Sequence, residues 1–233
     1  MPTEPTTGAG DLDPADKYMI LVSTLSVQVQ GVWGFYFLTQ ADLERLTEFP
    51  WKDPNLSYSE NKFRMKVLGG LVFSYRRFST ELSLLALAKA LEDLLSEAKG
   101  LGCSRFDVWQ GDDLGLRYHH DMRCIRALVN IIKHSNSHIA DNGSRNSRFL
   151  IEDCRVKPGL AVEHLGLDIP RYVYRIYWFL TQLAAHLSGV RRPSVPRPET
   201  RGFESFKQMI IPAFLEVRTM PGRVLRRYGA KKE

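Results

Sequence analysis

Cysteine is scarce in this chain. Cys103, Cys124 and Cys154 are an odd number in 233 residues and have no paired spacing, which excludes a disulfide scaffold. They read as reduced, mostly structural thiols. Long apolar runs are lacking too. The two most hydrophobic windows, residues 18–29 and 172–187, are interrupted by Ser, Thr, Gln or Arg and are too short to span a bilayer. No basic stretch precedes an apolar run at the N-terminus, so no secretory signal is read there. Gly-x-x-x-x-Gly-Lys is absent, as is a glycine-rich dinucleotide fingerprint after a strand, and no Ser or Cys nucleophile stands beside an ordered base. A cytoplasmic protein with no membrane partner and no cofactor is the resulting expectation.

The residues present are 44% hydrophobic, with 17 Gly and 12 Pro, a composition that folds into a globular core. The net charge of +6 points to an anionic partner, nucleic acid first. One stretch organises the rest, residues 117–138, RYHHDMRCIRALVNIIKHSNSH. Wound as a helix, it places Met122, Ile125, Leu128, Val129 and Ile132 on an apolar stripe. Arg123, Arg126, Asn130, Lys133, His134 and Ser137 fall opposite, within an arc of roughly 100°. Solvated faces ordinarily mix both signs of charge, whereas this one carries cations, an amide, an imidazole and a hydroxyl. A basic surface helix produces such a face by chance often enough to be the plain alternative. The register argues against chance: Arg126, Asn130 and His134 stand at i, i+4 and i+8, and neither Asn nor His is favoured on a helix surface.

Around that helix the pattern is helical throughout. Residues 1–10 read as disordered. Asp13 and Pro14 open a helix through Val29, which Gly31 and Gly34 weaken, and Thr39 caps a short helix over 42–49. A long leucine-rich helix follows over 59–98, with Gly69 and Gly70 as a possible division and Gly100 and Gly102 at its end. Its apolar residues cover more than half the circumference, as in a bundle centre or a subunit contact. Alternation over 149–156 suggests a short extended piece, and Asp168 with Pro170 starts an aromatic helix over 171–187. Residues 191–233 read as a basic, Pro/Arg-rich arm with a helical segment over 203–217. The expected fold is all-α, a bundle of four to five main helices over 11–190 with a C-terminal extension.

The segment RALVNIIKHSNS, with its order of leucine-rich helix, loop, motif helix and aromatic helix, resembles the HEPN superfamily, in a diverged branch where Asn-x-x-Lys-His closes the helix. The resemblance covers roughly residues 61–187. It implies a HEPN-like helical bundle and a homodimer whose two motif helices share a cleft. It also implies metal-independent cleavage of RNA of a toxin or phage-defence kind, held in check by a neutralising or regulatory protein. His134 matches the family's His, Asn130 the intervening polar residue and Arg126 the Arg, with a seven-residue interval that is longer than the family's usual one.

The chemistry can be stated without the family. Cleavage without metal needs an acid or base near neutrality and a cation for the phosphorane charge. His134 supplies the first and Arg126 the second, and Asn130 orients imidazole or substrate. Arg123, Lys133, Ser137 and His138 are the expected RNA contacts. His134 and His138 also have zinc spacing, but no third ligand lies at a telling distance, so no metal is expected. His119 and His120 are read as exposed residues ahead of the helix, and Asp112 and Asp113 as a solvated turn. A non-catalytic dimeric module that binds RNA, a nucleotide or a protein is the alternative.

Overall fold

A computed structural model describes residues 12–48, 50–110, 114–141 and 143–194. The expectations for residues 1–10, for Asp112 and Asp113, and for the arm beyond residue 194 lie outside the described residues. The described residues are all-helical: α1 is Pro14–Glu48, α2 Tyr58–Gly100, α3 His119–His134, α4 Arg145–Glu152 and α5 Ile169–Ser188, with a 3-10 turn at Val162–Leu165. It divides into two compact units, described residues 12–32 with 80–194, and 33–79.

The helix starts follow local chemistry. The Asp16 amide donates to Asp13 Oδ1 at 2.8 Å, capping α1. Ser57 and Glu60 form a reciprocal capping box before α2: the Ser57 amide donates to Glu60 Oε2 at 2.8 Å and the Glu60 amide to Ser57 Oγ at 3.4 Å. Asp168 caps α5 by accepting from the Arg171 amide at 3.1 Å. Gly102, at φ 70, closes α2 while the Cys103 amide reaches back to the Ala98 carbonyl.

Three expected boundaries are corrected. Gly31 and Gly34 do not interrupt α1, and Thr39 is no cap, because its hydroxyl donates back to the Phe35 carbonyl at 2.6 Å inside one continuous helix. That continuity also gives Pro14–Leu46 the length and mean hydropathy, 1.2, of a membrane span, with a third of the window buried. The piece over 149–156 is not extended. Ser144 caps α4 by accepting from the Ser147 amide, so the apparent alternation is one helical face with Phe149 and Leu150 buried. The motif helix ends at His134, and Asn136 and Ser137 at φ 48 and 61 turn the chain away.

In the first unit, neighbouring helices run antiparallel. Thr24 and Gln28 of α1 donate to Glu97 and Asp93 of α2, so one position rises as the other falls. The same relation holds between α2 and α3 through Glu92–Arg126 and, just past the end of α3, Glu81–Ser137, and between α3 and α5 through Asp121–Arg175 and, just before the start of α3, Arg117–Gln182. Leu84, Leu87 and Leu91 of α2, Met122, Ile125 and Leu128 of α3, and Phe179 and Leu183 of α5 are buried there. In the second unit, Asn61 ties down the loop before α2, its Nδ2 donating to the carbonyls of Asp53 and Leu56 at 2.9 Å. Trp33 and Leu43 are its buried apolar side chains among the described residues.

Candidate functional site

Helix α3 is built as its periodicity requires. Met122, Ile125, Leu128 and Val129 are at most 2% exposed and fix one face against the core. That burial leaves Arg123, Arg126 and Asn130 half-buried and Lys133 and His134 exposed along the other side. The five make a continuous polar strip. Two neighbours orient it: the Arg126 guanidinium pairs with Glu92 of α2, and Asn130 Nδ2 donates to Asn146 Oδ1 of α4 at 3.3 Å. His134 stands in the last turn of α3.

Two expected contacts leave the strip. Ser137 is 2% exposed and donates to Glu81 Oε1 at 2.6 Å, because the chain has turned out of the helix before it. It fastens α2 to the loop after α3 and offers nothing to a polyanion. His138 is exposed, but its Nδ1 lies 2.8 Å from the Asn136 carbonyl, and it is no longer one helical turn from His134. The zinc spacing read between those two histidines therefore loses its helix.

The strip extends beyond the residues that the sequence singled out. Arg123 lies over the Phe149 ring at 4.6 Å and 5.5 Å from the Trp109 centroid, while Arg145 lies over Trp109 at 4.5 Å. With Arg148 and Gly143 these groups line a recess of about 350 Å³. Guanidiniums stacked on aromatic rings beside a cationic recess suit a nucleobase and its phosphate. Glu152 and Asp153 at its rim temper the charge. Trp109 and the two arginines of SRNSR were visible in the sequence, but α4 was needed to bring them together.

Comparison of the chain with known protein families, with curated proteins and with solved structures finds no match.

Of the two histidines read as exposed residues ahead of the helix, both fall in the first turn of α3 and only His119 departs in burial. His119 is buried at the first turn of α3, its Nε2 2.6 Å from the Val108 carbonyl and its ring stacked on Phe179 at 5.8 Å. It anchors the loop before α3 to α5 and is no exposed loop residue. His120 is exposed and packs against Phe149 at 5.5 Å. Cys124 and Cys154 converge, their sulfurs 2.7 Å apart. The hydrogen bond between them raises the Cys124 thiol above its ordinary range and lowers that of Cys154.

Proposed function

We propose that the protein binds RNA along the polar strip of α3 and cleaves it without a metal ion, as a HEPN-like endoribonuclease of toxin or phage-defence type. One observation carries the reading. Arg126, Asn130 and His134 share a single helix whose reverse face is buried, and the strip that they form stays open to solvent. His134 is the acid or base for the 2′-hydroxyl or the departing 5′-oxygen. Arg126 carries the charge that develops on the phosphorane, and Asn130, held by Asn146, orients the scissile group. Arg123 and Lys133 hold flanking phosphates, and the Trp109–Arg145 stack receives a base. A homodimer gives the cleft its second wall. Phe63, Leu71 and Phe78 of α2 are exposed apolar side chains that a partner surface would cover.

The ion pair of Arg126 with Glu92 favours a second reading, an RNA-binding module that does not cleave. Glu92 neutralises part of the charge that the transition state needs, and phosphate must displace it to engage Arg126.

Incubation with total RNA in the presence of chelator separates the two. Wild-type protein is expected to cleave, and His134→Ala to lose about 10²–10⁴-fold in rate while keeping its helical circular dichroism. Arg126→Ala is expected to weaken both binding and cleavage. Undiminished cleavage by His134→Ala ends the nuclease reading. Binding by wild type without cleavage leaves the module.

A further inference from the structure

Three metal-ligating side chains meet at the opposite end of α3 from His134. His120 and Cys124 are one turn apart on that helix, and Cys154 stands just past α4. Cys154 Sγ lies 3.9 Å from His120 Nε2 and 2.7 Å from Cys124 Sγ, and the three ligand atoms all fall within 4.8 Å of one another. We propose that His120, Cys124 and Cys154 bind a borderline-soft divalent cation of the zinc class.

The three ligand atoms are close enough to converge on one such ion. Zinc bonds of about 2.3 Å to sulfur and 2.0–2.1 Å to nitrogen set tetrahedral edges of roughly 3.5 Å between S and N and 3.8 Å between two sulfurs. The observed S–N separation is already near its edge. The sulfur pair needs to open by about 1 Å, within reach of a small side-chain rotation. Two thiolates and one imidazole are a donor set that selects zinc over magnesium or calcium. Each thiol gives its proton to solvent on binding, and His120 contributes the lone pair of a neutral imidazole. A disulfide would instead draw the sulfurs to about 2.05 Å and leave the adjacent imidazole without a role.

Three protein ligands leave a fourth position. Cys124 and Cys154 line a cavity of about 500 Å³ whose wall also holds Lys157, His164 and Tyr172. The fourth ligand is therefore water or a small anionic solute entering from that cavity. Along α3, His120 and Cys124 lie about 21 and 15 Å from His134, fourteen and ten residues at 1.5 Å each, and His120 packs against Phe149, the ring that Arg123 covers. Its consequence within the fold is a clamp joining the first turn of α3 to the end of α4.

Cobalt(II) tests the site through its own colour. Reduced full-length protein titrated with cobalt(II) is expected to develop thiolate charge-transfer and tetrahedral d–d bands that saturate at one equivalent and are bleached by zinc. His120→Ala and Cys154→Ser are each expected to weaken cobalt binding by at least roughly 100-fold, more than an outer contact costs. Zinc added to the wild type is expected to shield Cys124 and Cys154 from iodoacetamide, read by mass spectrometry, while Cys103 stays open to alkylation. The alkylation readout does not depend on whether the variants fold. Absence of the bands in reduced protein, bands that persist in both variants, or alkylation of the pair unchanged by zinc overturns the assignment. A disulfide that forms in air and excludes cobalt even after partial reduction does so as well.

Discussion

The two parts of α2 carry similar apolar side chains and place them differently. Beyond Thr80, Leu84, Leu87, Leu91 and Leu94 are at most 3% exposed. Before it, Phe63 is 70% exposed, Leu71 61% and Phe78 56%. The later stretch has partners from α1 and α3 within its own unit, which also tie it down through Glu97, Asp93 and Glu92. The earlier stretch belongs to the second unit, where Trp33 and Leu43 are the buried apolar side chains among the described residues 33–79. Hydrophobic periodicity therefore marks a face that seeks cover without naming what covers it.

Core truncation is the strongest way to break the contrast. Leu87→Ala is expected to cost about 2–5 kcal/mol in urea unfolding, because it opens a cavity among residues that are already fully buried. Leu71→Ala, measured at low protein concentration, is expected to stay within about 0.5 kcal/mol of wild type. A comparable loss at both positions would mean that Leu71 packs as tightly as Leu87, and the distinction would fail.

A smaller effect sharpens the picture at the boundary of the buried stretch. Ser137→Ala removes the hydroxyl that donates to Glu81 where both groups are enclosed. It is expected to cost about 1–3 kcal/mol, the range for a buried polar group deprived of a partner. Ser137→Thr, which keeps the donor, is expected to recover part of that loss. RNA affinity equal to wild type in Ser137→Ala at a temperature where it is folded would fit a fastening role and no contact with a polyanion.

The same contrast explains which features were legible in the sequence. Two helix caps and the core face of α3 were legible because they depend on neighbours within a few residues: Asp13, Asp168 and the stripe from Met122 to Val129 are all local patterns. The end of α3 was not, since SNSH continues the helical pattern and only the left-handed turns at Asn136 and Ser137 break it. Helix α4 was missed because eight residues hold too few periods to separate a helix from alternation. The strip itself was legible from Arg123 to His134. Its extension through Trp109 and Arg145, and the meeting of Cys124 with Cys154, depend on pairing residues far apart in sequence, which no local pattern encodes.

The smallest effect concerns what covers the exposed half of α2. The apolar side chains of Phe63 and Val67 line a groove of about 810 Å³, with Leu56 and Leu68 beside them. If a second copy covers this face, substituting its two most exposed core-like residues should weaken association without touching the buried half. Phe63→Ser with Leu71→Ser is expected to loosen the dimer at least tenfold, about 1.4 kcal/mol, in sedimentation equilibrium. The thermal midpoint at low concentration should stay near wild type, because neither side chain contributes to a monomer's core. RNA cleavage per protomer should then fall at dilutions where the wild type remains paired, if the proposed cleft needs both copies. An unchanged sedimentation profile would show that this surface is not where two copies meet, and a profile that is monomeric for wild type at every concentration would remove the dimer from the proposed mechanism.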